Sequence, residues 1–326
     1  MATKKKTSKS KSGKAKTTTS TSKDTGTEKQ QLDFRDVFFA LLDSFKEDAT
    51  EKQEKHRDNI LKEYLSQEHS SLTKKYNIIV LHDGTTMVRS DIDKIYRAVA
   101  NFEKKKPILL VLFSDGGSVG PAYLIGKLCR EYSDGDFSVV VPRRAKSAAT
   151  LLCCAANEIH MGSLSELGPI DPQLNGMPVL GLKNAVKHIA ELVEEKPETS
   201  EMFARYLNLS LKPIDLGCYE RSAESALQYA ERLLDTHSQN LKYSPSKIAN
   251  RLVYTYKDHG FVIDKAEACE IFGDNVIKVN TEEYNYGNSL YGTLSFIEDV
   301  SNSYHHSFYF IGGLDSDPTF RKRSQS

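Results

Sequence analysis

Two short apolar runs, PILLVLF and FSVVVP, constrain the fold of this chain more than any other feature. Each run is continuous rather than alternating, which is typical of a strand covered by helices on both faces of a parallel sheet. A further strand is predicted in YNIIVLHDG, and the segments SDIDKIYRAVANFEKK and PAYLIGKLCREY have the apolar spacing of amphipathic helices. This alternation of strand and helix predicts an α/β fold with an open, mostly parallel sheet.

Two polar turns follow these apolar strands, SDGGS after PILLVLF and RRAKS after FSVVVP. In open parallel sheets, sites gather at the carboxyl ends of the strands. Gly116 and Gly117 in the first turn tolerate positive φ and let backbone N–H groups face a bound anion. No GK[ST] or GxGxxG pattern accompanies the turn, which excludes the common nucleotide-binding loops. A tight strand-to-helix turn without a ligand is the alternative interpretation.

Ser147 in the second turn precedes the small and apolar residues AATLLCCAAN. Serine is a preferred helix N-cap, and a serine at the start of a helix is also suited to nucleophilic catalysis, since the free Ala148 N–H and the helix dipole favour developing negative charge. No GxSxG elbow is present. Taken together, the glycine turn and Ser147 could place two amide donors and a hydroxyl around one point.

The segments SDGGSVGPAYLIGKL, VVVPRRAKSAATLLCCAANEIHMGSLSELGPIDPQ and YTYKDHGFVIDKAEACEIFG resemble the serine dehydrogenase proteinase family, relatives of signal peptide peptidase A and of the Clp proteolytic subunit. The resemblance covers about residues 76 to 275. It implies a ClpP/crotonase-like fold with a mostly parallel sheet and flanking helices. It also implies Ser147 as the nucleophile, with an oxyanion hole formed by the Gly116/Gly117 turn and the Ala148 N–H.

The general base is not fixed by the sequence. Clp-type relatives use a histidine with an aspartate and signal-peptide-peptidase types use a lysine, while this chain has Asp171 in LGPIDPQ near the place of the Clp histidine. His259, with the neighbouring Asp258, and Lys183 are the two main candidates for the base. Two further candidates are disfavoured: Lys146, because consecutive side chains point apart, and His188, because it lies on a charged helix.

Four segments are predicted: a disordered basic tail at 1–30, a helical arm at 31–72, a ClpP/crotonase-like domain at 76–280 and a C-terminal extension at 281–326, with the later part of the chain mostly helical. The arm either supports oligomerisation or packs on its own domain. Lys+Arg and Asp+Glu balance at 44 each, and the five cysteines are odd in number without CxxC pairing. Composition therefore predicts a soluble, reduced, cytoplasmic chain without a disulfide framework or zinc site.

The expected function is that of a serine-type endopeptidase that forms an acyl-enzyme on Ser147 and needs no metal or nucleotide cofactor. Its partners would be peptide or protein substrates and further copies of the chain in a homo-oligomer, with no nucleic acid required. Two alternatives remain at this point: a crotonase-like acyl-CoA enzyme, which uses paired amides for a thioester enolate, and an inactive relative that binds protein partners.

Overall fold

A mostly parallel sheet forms the centre of the structure, a computed structural model that describes residues 32–67, 70–174, 177–210 and 213–323. Its main path runs β10-β5-β3-β2-β1-β11-β12, and β4, β6 and β9 extend it beyond the end of β2. The strands are β1 (Asn77–Asp83), β2 (Ile108–Ser114), β3 (Phe137–Val141), β4 (Arg144–Ala145), β5 (Glu158–Met161), β6 (Glu166–Leu167), β7 (Gln173–Leu174), β8 (Met177–Pro178), β9 (Ile263–Asp264), β10 (Ile277–Val279), β11 (His306–Gly313) and β12 (Thr319–Lys322).

Neighbouring strands from β10 to β1 are parallel, whereas β11 joins β1 antiparallel and β12 joins β11 antiparallel. The separate pair β7 and β8 is a short antiparallel ladder. The α-helices are α1 (Phe34–Ser44), α2 (Glu51–Gln67), α3 (Ser70–Lys75), α4 (Arg89–Ala100), α5 (Val119–Tyr132), α6 (Ala148–Cys153), α7 (Val179–Glu195), α8 (Ser200–Ser210), α9 (Pro213–Asp235), α10 (Pro245–Asn250), α11 (Lys265–Phe272) and α12 (Glu282–Ser303). The predicted fold class is confirmed.

The apolar strands are buried on both faces of the sheet, as their continuous patterns predict. In β2, Leu110 and Leu112 belong to a core shared with α5, α6 and α9, while Leu109 and Val111 belong to a second core shared with α1, α2 and α12. Because successive side chains of a strand point to opposite faces, a strand between two cores must be apolar at every position.

The segment predicted as a helical arm packs on the same chain. Val37 and Leu41 of α1 and Leu61 and Leu65 of α2 are buried in the second core, together with residues of the sheet and of α12. Phe34 of α1 packs edge-on against Phe296 of α12 at a centroid distance of 5.4 Å. Of the two interpretations left open by the sequence, the structure shows packing onto the chain's own sheet.

The segment 281–326, predicted as an extension, contributes structure to the same sheet. α12 covers the second core, and β11 pairs with β1 through Ile79 opposite Gly313 and His82 opposite Phe310. No packing boundary therefore follows residue 280, since β11 completes the hydrogen bonding of β1. The tail predicted at 1–30 lies outside the described residues.

In the part of the chain that the structure describes, no helix combines the length and the apolar character that crossing a bilayer requires.

Candidate active site

Ser147 lies in the turn between β4 and α6, beyond the carboxyl end of β2. Its backbone has φ 51° and ψ −115°, a conformation that non-glycine residues rarely adopt. The Lys146 N–H donates to Ser114 O at 3.0 Å and the Ala149 N–H donates to Lys146 O at 2.8 Å, which holds the turn. Ser147 occupies the N-cap position of α6, but in this fully described turn its side chain makes no capping hydrogen bond. The hydroxyl is thus not used by the helix.

The Gly116–Gly117 turn packs directly against Ser147. Both glycines have positive φ, 102° and 134°. A Cβ on Gly116 would lie 2.9 Å from the Ser147 Cβ, and a Cβ on Gly117 would lie 2.5 Å from Met87 N. Only glycine allows the backbone to approach its neighbours this closely with this conformation.

The amide groups of the predicted oxyanion hole have different surroundings. The Gly116 N–H donates to Ser114 Oγ at 3.1 Å. Two backbone hydrogen bonds flank Gly117, from Met87 N–H to Gly116 O and from Ser118 N–H to Met87 O, and neither uses the Gly117 N–H. Ala148 begins α6, and the first N–H groups of a helix have no partner within it. Neither the Gly117 N–H nor the Ala148 N–H donates in the backbone hydrogen bonds of the described residues.

A cavity of about 880 Å³ opens over these groups. One wall is formed by the two turns, one by the loop that carries His259, and one by a polar face of α9. The lining residues are Thr85, Thr86, Asp115, Gly117, Ser118, Val119, Ser147, Ile170, Pro172, Gln173, Arg221, Ser222, Glu224, Ser225, Gln228 and His259. Among the described residues, no group of three His, Cys, Asp or Glu side chains could hold a metal ion.

Asp171 and His259 come together beside the cavity, although they are far apart in sequence. The His259 Nδ1 lies 3.8 Å from the Asp171 Oδ2, and Asp171 is only 4% exposed. Both the His259 Nδ1 and the Asp171 Oδ1 are buried without a hydrogen-bond partner among the described atoms. The neighbouring Asp258 instead accepts the Gly260 N–H at 3.0 Å. The carboxylate that faces His259 is therefore Asp171 and not Asp258.

The other predicted bases are placed differently. The Lys146 ammonium turns to the carbonyl oxygens of Leu167 and Phe261, both at 3.3 Å. His188 is on α7 with 70% of its side chain exposed, 3.8 Å from Glu191. Lys183 is also in α7, but its side chain lies outside the described residues.

Sequence reasoning missed an ion pair that joins the two turns. Arg144, in β4, donates from Nε and from Nη2 to the two carboxylate oxygens of Asp115, which immediately precedes Gly116; the Nη2 distance is 3.0 Å. This hydrogen bonding raises the pKa of Arg144. The guanidinium also lies 4.4 Å from the centroid of the Phe113 ring. The only signal in the sequence was one acidic and one basic residue in turns at adjacent strand ends.

One family model matches a stretch of the chain that includes most of the candidate site. Residues 46–199 match the family model of the ClpP-like SDH-type serine proteinases. Ser147, the two glycines and Asp171 lie within that range, and His259 lies outside it.

Two curated proteins of Methanocaldococcus jannaschii are similar to parts of the chain. Uncharacterized protein MJ0137 is 37% identical over 97 residues, which are 30% of this chain and 34% of that protein. Uncharacterized protein MJ1495 is 28% identical over 106 residues, which are 32% of this chain and 36% of that protein. The matches thus span about a third of the length of these relatives.

Among solved structures, two chains of the membrane-bound stomatin-specific protease 1510-N are similar. One is a mutant in complex with a substrate peptide (14% identity, 63% of this chain, 76% of that chain, TM-score 0.39), and the other is a second mutant (14% identity, 68% and 85%, TM-score 0.39). A likeness of this size does not extend to individual residues of the site. The family match covers residues 46–199, slightly less than half of the chain, and includes the candidate nucleophile.

Proposed function

We propose that the chain is a serine peptidase that hydrolyses peptide bonds through an acyl-enzyme on Ser147. The family match supports a serine peptidase in general terms. The observation that carries the finer proposal is that Ser147, the Gly117 turn and His259 line one cavity, with Asp171 behind His259. This is the combination of nucleophile, base, orienting carboxylate and anion-binding amides that acyl transfer requires.

In the proposed reaction, His259 Nε2 accepts the proton of the Ser147 hydroxyl as its oxygen attacks the substrate carbonyl. Asp171 faces His259 Nδ1, where a carboxylate fixes the tautomer and stabilises the imidazolium that forms. The Gly117 and Ala148 N–H groups donate to the oxyanion of the tetrahedral intermediate. The imidazolium then protonates the leaving amine, and a water molecule hydrolyses the acyl-enzyme by the same steps.

The test is labelling of the full chain by a serine-reactive fluorophosphonate, combined with peptide hydrolysis. We expect Ser147→Ala to abolish both, and His259→Ala and Asp171→Asn to lower the rates by about 10³-fold or more, as for triad members in general. His188→Ala is the matched control for the histidine, because this exposed side chain is on α7 and does not line the cavity; it should retain the wild-type rate.

The same assay separates the proposal from its rivals. If Lys183→Ala abolishes labelling while His259→Ala retains it, Lys183 is the base. If a well-folded chain neither labels nor hydrolyses peptides, the peptidase proposal fails and the interaction module or the acyl-CoA enzyme takes its place. The homo-oligomer and the cytoplasmic location remain predictions, which size-exclusion chromatography with light scattering and imaging of the tagged chain would test.

A further inference from the structure

The Lys146 side chain, which directly precedes the candidate nucleophile, is held by three oxygen atoms. Its ammonium lies 3.3 Å from Leu167 O, 3.3 Å from Phe261 O and 3.2 Å from a carboxylate oxygen of Glu166. Only 13% of the side chain is exposed. The ammonium therefore donates hydrogen bonds to two backbone carbonyl oxygens and forms an ion pair with the Glu166 carboxylate.

The contacted segments carry the other two members of the proposed triad. Leu167 ends β6 and leads through Gly168 into the stretch that contains Asp171. Phe261 closely follows His259 in the loop before β9. The Lys146 side chain therefore connects the turn of the proposed nucleophile with the two segments that bring His259 and Asp171 to the cavity.

Gly168 supplies the space through which Lys146 reaches these oxygens. A Cβ on Gly168 would lie 2.7 Å from the Lys146 Cδ and 3.4 Å from its Cα. The alkyl chain of Lys146 thus lies directly against the Gly168 backbone. The Gly168 N–H donates to Thr150 Oγ1 at 3.1 Å, which fixes this segment to α6 from the other side.

We infer that Lys146 is a positioning residue that holds the His259 loop and the Asp171 segment in register with Ser147. The inference rests on the proposed function. Lys146 does not serve as the base, because its N–H groups face oxygen atoms that accept hydrogen bonds. Lys146 affects the reaction by fixing the position of His259. A displacement of a catalytic group by about 1 Å can lower the reaction rate 10²-fold.

The experiment compares Lys146→Met, which keeps the length and removes the donors, with Lys146→Arg, which keeps the charge. We expect Lys146→Met to lower kcat and the rate of fluorophosphonate labelling by about 10- to 100-fold with little change in KM, and Lys146→Arg to lie between it and the wild type. Lys62→Met is the control, since Lys62 makes an exposed ion pair with Asp317 and does not line the cavity; it should label at the wild-type rate.

The decisive measurement repeats Lys146→Met in the His259→Ala background. If Lys146 acts through His259, the second substitution adds less than about a threefold loss, because effects within one catalytic unit are not additive. An equal loss in both backgrounds overturns the inference, and so does an unchanged rate in the single variant. Complete loss in Lys146→Met while His259→Ala remains active would identify Lys146 as the base and also overturns it.

Two further variants keep the inference testable if Lys146→Met does not fold. Glu166→Gln removes the ion pair but keeps the ammonium, and Gly168→Ala displaces the alkyl chain without changing a charge. Each variant should lower kcat with little change in KM, and this effect should disappear in the His259→Ala background. If both variants lower kcat by the same factor in the wild-type and His259→Ala backgrounds, the inference is overturned. If Ser147→Ala is still labelled, the proposed function fails and the inference fails with it. If Ser147→Ala is not labelled but the Lys146, Glu166 and Gly168 variants label at the wild-type rate, only the inference is overturned.

Discussion

At the scale of the residue, the backbone conformation of Ser147 distinguishes its turn from an ordinary helix start. Among the described residues, Ser147, Asn280 and His305 are the non-glycine residues with positive φ. Such a conformation costs about 1–3 kcal/mol and persists only where the surroundings impose it. Here the surroundings are the hydrogen bond to Ser114 and the contact with Gly116. The strain turns the hydroxyl away from a capping role.

The Gly117→Ala variant tests the anion-binding amide at the same scale. At φ 134° the new Cβ would lie 2.5 Å from Met87 N and 2.7 Å from Met87 O, which are backbone atoms. Relief requires the turn to move, and the Gly117 N–H moves with it. We expect the labelling rate to fall by about 10²- to 10³-fold, the usual cost of losing one oxyanion donor.

The control for this variant is Gly120→Ala. Gly120 lies in the first turn of α5, close to Gly117 in the chain, and a Cβ there has no atom within 4 Å. It should label like the wild type, with equal or higher thermal stability because alanine favours a helix. Wild-type labelling by Gly117→Ala, with its melting temperature unchanged, would falsify the assignment of this amide.

At the scale of the element, the site depends on how the ends of β2 and β4 are joined. Asp115 follows β2 and lines the cavity, and Arg144 belongs to β4. Their side chains are 41% and 37% exposed, so solvent screening makes the pair a small contributor to stability. Its larger effect is on the cavity, where an unpaired Asp115 would oppose the negative charge of an oxyanion.

The Arg144→Met variant therefore should lose activity more than stability. We expect kcat to fall by at least about tenfold, equivalent to about 1.4 kcal/mol of transition-state stabilisation. The double variant Arg144→Met/Asp115→Asn should recover part of the loss, because the unpaired charge is gone. Steady-state kinetics of both variants measures this, with Arg143→Met as control, since that guanidinium contacts Asn288 and Tyr291 instead. A double variant slower than Arg144→Met contradicts the electrostatic role.

The elements differ in how well the sequence predicts them, and the difference has a physical cause. β1, β2 and β3 contain apolar runs, at 78–81, 108–112 and 139–141, whose side chains are buried on both faces of the sheet. β4, β6 and β9 are two residues long, too short to show any periodicity, and they exist only through long-range pairing. These short strands adjoin the segments that carry Lys146, Asp171 and His259. The sequence therefore indicated a candidate nucleophile and the glycine turn but left the choice of base open.

The C-terminal elements show the same limit. β11 is polar or aromatic at several positions, and it pairs with β1, which lies at the other end of the chain. Nothing local marks such a pairing, because register between distant strands is set by the sheet as a whole. The helices α1 and α2 were predicted from their apolar spacing, but the surface that they cover was not.

At the scale of the whole molecule, two buried histidines lie on opposite sides of the sheet. His160 in β5 contacts Thr281, the N-cap of α12, and Glu283 in its first turn, and His237 follows α9 beside Arg130. Burial lowers the pKa of each imidazole to about 4. The folded state therefore disfavours protonation of both histidines, and the stability of both cores depends on pH.

We expect the free energy of unfolding to decrease as the pH falls from about 6.5 towards 4. In this window the unfolded chain binds protons on histidines with an ordinary pKa near 6.5 while the folded chain does not, so protons favour unfolding. The loss should reach about 2 kcal/mol for each histidine at pH 5. Glu283, whose pKa is lowered to about 2 by Lys75, its own backbone N–H and Tyr76 against the opposing effect of burial, contributes stability that is lost only at lower pH.

Urea unfolding of the Ser147→Ala chain at pH 7 and pH 5 measures this effect without self-cleavage. His237→Asn should remove about half of the difference between the two pH values, because asparagine does not titrate. His188→Asn is the control, since this imidazole is on the surface with 70% of its side chain exposed. If the stability is the same at both pH values, the two histidines are open to solvent and the packing around β5 and the end of α9 is looser than in the structure. If only the His160 contribution is absent, the looser packing is confined to the α12 side, because the two histidines lie on opposite faces of the sheet.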